Sequence, residues 1–333
     1  MPIENGHESV GCRYRPVPFD ALSCGPQAFP YTAEQDDTDL TNALVELGAR
    51  YVFSETLTKP LTYFVDQIKI GLKQLREAYP DEMSEMSVIG SFAKGISLHV
   101  DRVCEIVVFL KVLPTVELLN VYGDKFTECL KNNTVCSTYK TNKHDYGFDC
   151  TDPAAGSICV RVMFTVVPNL LRDHVPELHI DKTHLTNLIK ASKRTSWFVN
   201  RAKKSPLEYF VRILMHVKRN YPGFDDLEDW HLELYAYHAL SGMIPTGHPI
   251  SLAQAFKRFF QMLSAGALLP NAPTIADPVS LPGCSPCPLT ASYNVEQMDK
   301  ICATAQTIVL LIFRGQFCKV LQGSGVKFDG MIS

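Results

Sequence analysis

The stretch that most constrains this chain is Ser87–Leu113, SVIGSFAKGISLHVDRVCEIVVFLKVL. A short apolar run turns at Gly90-Ser91, and a strongly β-branched run follows at Arg102–Val112. The second run reads as a strand, because β-branched side chains pack well on a pleated surface. Between the two, a glycine and a serine offer backbone N–H groups and a hydroxyl in the arrangement that cradles phosphate. Gly90 and Ser91 are therefore candidate nucleotide contacts, with Lys94, Arg161, Arg212 and Lys218 as candidate basic partners. The ordinary reading of each of these charges is a solvated or structural one.

A Gly-Ser turn leading into a strand with acids at alternate positions resembles the phosphate and metal site of polymerase-β-type nucleotidyltransferases. Two metal ions in such a site lie about 3.5–4 Å apart, so their carboxylates must be close neighbours on one strand face. Side chains alternate at about 3.3 Å per residue, which lets an i, i+2 acidic pair share both ions. Here Glu105 holds one position and Val103 the other. Asp101 lies four residues before Glu105, about 13 Å away along an extended strand. The neighbouring strand, Ser157–Val167 (SICVRVMFTVV), would supply a third acid, but its only charge is Arg161. No catalytic residue is assigned; Val103 and Glu105 are degenerate positions, and no metal or cofactor is expected. A buried glutamate needs a partner, so Glu105 is expected to face the cleft or to pair with Arg161.

The formal net charge of −3 argues against a strong autonomous nucleic-acid binder, since that affinity rests on phosphate neutralisation. Met1–Gly11 is polar and shows no signal peptide. No apolar run reaches the roughly 18 residues of a membrane span. Eleven cysteines, an odd number scattered through apolar segments, suit a reducing compartment, nuclear or cytosolic. Cys284-Ser285-Pro286-Cys287 has zinc-ligand spacing but no second pair nearby, and a structural zinc wants four ligands; these read as loop thiols.

Residues 1–36 read as an N-terminal arm carrying a basic-aromatic tag, Arg13–Phe19. Apolar spacing at three and four predicts helices over Thr38–Val52 and Lys59–Tyr79, then Pro114–Lys131 packed on the sheet. Weak strands are expected at Val135–Tyr139 and Tyr146–Thr151, around a polar turn at Asn142–Asp145. The whole of 37–180 is expected to form a small mixed sheet with helices on one side. From residue 181 to 333 the pattern is all-helical: Asp181–Ala202, Pro206–Tyr221, Asp226–Ser241, Ser251–Leu269 and a long closing helix, Asn294–Gln322. The fold class is thus α+β, a mixed sheet followed by a helical lobe.

Two features of the helical part draw a functional reading. Lys190, Lys193, Arg194, Arg201, Lys203 and Lys204 form a basic run, either a solvated face or an RNA contact. On the closing helix, Met298, Ile301, Cys302, Ala305, Ile308, Val309 and Ile312 form one apolar stripe. Val295, Ala303, Leu310, Leu311, Phe317 and Val320 form a second. If one packs on its own lobe, the other implies a partner, with Arg258, Arg314 and Asp277 as flanking polar contacts.

Several stretches together resemble the DZF family (domain associated with zinc fingers). They are IGSFAKG (89–95), EIVVFLKVLPTVELL (105–119), VPELHID (175–181), SWFVNRA (196–202), NYPGF (220–224), SAGALLP (264–270), IADP (275–278) and EQMDKICATAQTIV (296–309). WHLELYAYHAL (230–240) is similar to oligoadenylate synthetases. The resemblance implies a nucleotidyltransferase fold without catalytic activity, and nuclear work in transcription and RNA processing. It also implies pairing with a larger DZF paralogue, of the interleukin enhancer-binding factor 3 type or the zinc finger RNA-binding protein type. That partner would make most of the RNA or DNA contact. Where active relatives carry a triphosphate-binding lysine, this chain has Met215, with Arg212 keeping a basic place nearby. The Gly-Arg-rich N-terminus and acidic tail of the family's short members are absent between Met1 and Ser333. The alternatives are an active template-independent nucleotidyltransferase using ATP, or a nucleotide sensor without turnover.

Overall fold

The structure is a computed structural model that describes residues 37–50, 55–98, 102–132, 138–153, 158–241, 250–270, 272, 275–279 and 289–322. The arm with its Arg13–Phe19 tag, Asp101 and the Cys284–Cys287 pair lie outside the described residues.

In chain order the elements are α1 (Thr38–Arg50), α2 (Glu55–Ala78), β1 (Met83–Ile89), a one-turn α3 (Gly90–Ala93), β2 (Val103–Leu110) and α4 (Val116–Asn132). Then come β3 (Lys140–His144), β4 (Gly147–Thr151), β5 (Cys159–Val166), α5 (Lys182–Ala202), α6 (Leu207–Asn220) and α7 (Asp229–Leu240). The chain closes with α8 (Leu252–Ser264), α9 (Val295–Phe313) and α10 (Phe317–Gln322).

The five strands form one mixed sheet in the order β1-β2-β5-β4-β3. Only the β2–β5 pair is parallel. Alternation along β2 decides the core. Cys104, Ile106, Val108 and Leu110 face one side, and with Val162 and Phe164 of β5 they meet Phe64, Ile68 and Leu72 of α2 and Tyr122 and Phe126 of α4. The opposite face buries Val107, Phe109 and Met163 against Leu188 and Ile189 of α5. Helices thus cover both faces, not the single face expected, because α5 turns an apolar stripe back onto the sheet.

That packing also moves the boundary expected at residue 180. By contacts, one compact unit holds the described residues between Tyr51 and Glu208 together with Val279. The other holds α1, the residues from Tyr209 to Pro278, and those from Leu289 on. α5 therefore belongs with the sheet. α1 belongs with the helices: Tyr209 donates its hydroxyl to the carbonyl of Val45, and Lys257 pairs with Asp37.

Three local expectations need correction. The hairpin turn is Asp145-Tyr146, since β3 pairs with β4 from Lys140↔Thr151 to His144↔Gly147. Asn142–His144, expected in the turn, is strand; a polar edge strand hides its identity because it has one solvated side. The helix expected to reach Leu269 stops at Ser264, two residues before Gly266 with φ +82°. The closing helix is likewise broken, by Gly315 with φ +70° between α9 and α10. Among the described residues no helix is long and apolar enough to cross a membrane.

Candidate functional site

β1 ends at Ile89, which pairs with Glu105 of β2. The next residue, Gly90, takes φ +73°, a left-handed conformation that other residues adopt at a cost. A Cβ at Gly90 would also lie 2.5 Å from Glu105 Oε2. Glycine is thus required twice over, by backbone angle and by the carboxylate packed against it.

The groups that would cradle a phosphate are engaged by the protein itself. The Gly90 amide donates to Thr195 Oγ1 (3.2 Å), and that hydroxyl donates to the Ala191 carbonyl (2.9 Å). Ser97 donates its hydroxyl to Ser91 Oγ (3.0 Å), and Ser87 and Ser192 share a hydroxyl contact of 3.2 Å. Lys94 is only 8% exposed, with its ammonium 5.7 Å from the centre of the Phe198 ring. One side of α5 therefore closes on the β1–α3 turn through Ser192, Thr195 and Phe198, one helical turn apart.

The strand register brings together three charges far apart in sequence. Glu105 of β2 stands opposite Arg161 of β5, and Arg161 stands opposite Asp149 of β4. Arg161 grips Asp149 with a fork, Nε to Oδ1 at 2.9 Å and a terminal nitrogen to Oδ2 at 3.2 Å. Burial pushes the Glu105 carboxyl above its usual pKa, and the positive charges of Arg161 and Lys94 oppose the shift. Arg161 and Lys94 are thus electrostatic neighbours of Glu105, while the hydrogen-bonded fork of Arg161 goes to Asp149. Val103, at the alternate position where a second acid would complete a metal pair, is 41% exposed.

This donor set does not fit a metal pair. One carboxylate faces a guanidinium, and both oxygens of the other, Asp149, are taken up by that guanidinium. Among the described residues no three His, Cys, Asp or Glu side chains gather as a metal site. Asp149 was not anticipated from sequence. The available signal was one acid on an alternating hairpin strand and one base twelve residues later on the next.

Arg212 and Lys218 lie on α6, in the other unit. Lys218 pairs with Asp229 at 2.5 Å, and Arg212 lies over the Tyr209 ring at 5.9 Å. Met215 is buried. On α5, Arg201, Lys203 and Lys204 are exposed, while Lys190, Lys193 and Arg194 are half-buried.

α9 buries Met298, Ile301, Cys302, Ala305, Ile308 and Ile312, which is the first stripe except for half-buried Val309. Of the second stripe, Val295, Leu311 and Phe317 are half-buried and Leu310 is exposed. Val320 is fully buried, because the break at Gly315 turns α10 relative to α9. Phe313, not anticipated, is exposed beside Leu310. Arg314 is exposed and Arg258 half-buried. Asp277 is engaged within its own unit, accepting from Trp230 Nε1 at 3.1 Å.

Residues 17–203 match the family model described as the DZF N-terminal domain, and residues 207–329 match the DZF C-terminal domain. Among solved structures, the chain is similar to CdnC of E. coli MS115-1 in its complex with HORMA-deltaN, with 16% identity and a TM-score of 0.58 over 85% of this chain and 97% of that one. It is also similar to the Cid1 poly(U) polymerase with MgGTP bound, with 13% identity and a TM-score of 0.56 over 85% of this chain and 99% of that one. At these identities the likeness is one of fold.

Proposed function

The chain belongs to the DZF family, and from that membership and the geometry of the cleft we propose that it is a nucleotidyltransferase-fold protein without turnover. It serves as the pairing partner of a larger DZF paralogue in nuclear transcription regulation and RNA processing. One observation carries the loss of activity: Arg161 stands in register between Glu105 and Asp149. Two-metal catalysis needs clustered negative charge to hold two divalent cations. A guanidinium in the middle of that row supplies a fixed positive charge instead and neutralises one of the two acids. Val103 leaves the second strand position without an oxygen.

Pairing is supported by Leu310 and Phe313 of α9, both large, apolar and exposed. An obligate interface typically buries roughly 2,000 Å² or more, so these two residues would be its centre and Arg258 and Arg314 its polar margin.

The deciding experiment is magnesium-dependent incorporation of radiolabelled nucleotide by the purified chain, alone and with a DZF partner. No incorporation is expected in either case. Incorporation that Glu105→Ala abolishes would overturn the reading and establish the active enzyme in its place. Thermal-shift titration with ATP and UTP separates a nucleotide sensor, which would be stabilised by mass action, from a scaffold that is not.

A further inference from the structure

Where Gly315 turns the chain at φ +70° between α9 and α10, a cavity of about 260 Å³ opens between α1, α8 and the break. Asp37, Asp39 and Leu40 line it at the start of α1, Lys257 from α8, and Ile312 and Phe317 from either side of the break. Gly315 completes the wall, and a Cβ there would meet no atom within 4 Å. Lys257 and Ile312 also line a shallower groove between α8 and α9, together with Gln261, Val309 and Phe313. The two hollows therefore adjoin, one acidic at its rim and the other mainly apolar.

Lys257 is taken up by Asp37. Asp39 is exposed and makes no ion pair among the described residues. The charge left over in the cavity is thus one carboxylate beside the apolar walls of Leu40, Ile312 and Phe317. At about 260 Å³ the space falls below the roughly 300–1,000 Å³ that holds a drug-sized ligand. It suits a long cationic side chain, whose aliphatic stem lies on apolar walls while its charged head meets the acid.

A segment with that chemistry precedes the cavity in the chain. Among residues 1–36 the only lysines or arginines are Arg13 and Arg15, and they run directly into Pro16-Val17-Pro18-Phe19. Cations followed by apolar residues match an acidic cavity followed by an apolar groove. The 17 residues from 20 to 36 join Phe19 to Asp37, itself a wall of the cavity. A coil of that length spans about 23 Å by root-mean-square, and Val309 and Phe313 lie within one helical turn, about 5.4 Å, of Ile312. Tethering supplies such a segment at an effective concentration of order millimolar, so contacts too weak to hold a free peptide suffice in cis. We propose that Arg13–Phe19 docks on this face of its own chain, with an arginine at Asp39 and with Val17 and Phe19 in the α8–α9 groove. The arm then covers apolar surface that a monomer rarely leaves bare. The docking stands whether or not the cleft turns over nucleotide and whether or not a DZF partner binds.

The test is limited proteolysis of the full chain by chymotrypsin, with cleavage after Phe19 followed by mass spectrometry. Each rate is taken relative to a free synthetic peptide of the same sequence around that bond. The wild type should be cut several-fold more slowly than its peptide. Asp39→Lys turns attraction for two cations into repulsion and should speed the cut about fivefold or more. Arg13→Glu with Arg15→Glu should also speed it in the wild-type background, and should slow it again in the Asp39→Lys background. A merely loosened α1 would show no such rescue. Glu85→Lys, exposed on β1, should leave the rate unchanged. The proposal is overturned by wild-type protection in Asp39→Lys, by a missing rescue, or by rescue through Lys327→Glu instead, which would seat the C-terminal residues there. Protection that grows with protein concentration would overturn it too, since the segment would then sit on a second copy.

Discussion

The Gly90 amide donates to the hydroxyl of Thr195 across 3.2 Å, joining the turn after β1 to the middle of α5. In a phosphate-gripping turn that donor would point at ligand. Here a buried threonine occupies it, and the same hydroxyl is anchored on the Ala191 carbonyl, so the turn is satisfied without any bound nucleotide.

Thr195→Val keeps the shape of the side chain and removes the acceptor. Leaving a buried amide unsatisfied costs about 1–3 kcal/mol; Gly90 is half-buried, so urea unfolding should show a loss toward the lower end, about 1 kcal/mol. The denaturant slope should be unchanged, since the area exposed on unfolding is the same.

Gly90→Ala meets two separate costs, the left-handed backbone and the Glu105 carboxylate at 2.5 Å from the new Cβ. The backbone alone costs roughly 1–2 kcal/mol. A double-mutant cycle with Glu105→Ala should recover the steric part and leave the backbone part, so the two changes should be non-additive by about 1 kcal/mol. Strict additivity would mean that the carboxylate moves aside freely.

Glu105 also sets a pH dependence. Burial holds its folded pKa above the ordinary 4.5, so the folded state binds more protons between the two values. Stability then falls as pH climbs from about 4.5 through the raised value. Glu105→Gln should remove that fall and leave the protein more stable than the wild type at neutral pH, as read by thermal melting across the pH series.

On α9, Leu310 and Ile308 make a matched pair. Leu310→Asp changes an exposed position and should alter the stability of the lone chain by no more than about 0.5 kcal/mol, while releasing a co-purifying DZF partner. Ile308 is fully buried, and Ile308→Asp should unfold the lone chain by placing an unpaired charge in the core. A Leu310→Asp protein that still co-purifies at full yield would count against this face as the interface.

Local chemistry was enough to identify β2, β5, most helices and the Gly90 turn, because each is written in residues close together along the chain. A β-branched run makes a strand, and a Gly-Ser pair makes a turn, wherever the rest of the molecule lies. The absence of an acid at Val103 was likewise legible, since strand alternation is a property of neighbours.

What only the tertiary structure decided is which distant segments share a row. Glu105, Arg161 and Asp149 meet because the strands pair in the order β2-β5-β4 at one register. A slip of one residue would have sent Arg161 to the other face, and nothing local to any of the three residues records that choice. α5 shows the same limit, since its apolar stripe would serve a helical bundle as well as a sheet. It covers the sheet because the β2 face carrying Val107 and Phe109 needed a cover, a requirement that arises only once the sheet exists.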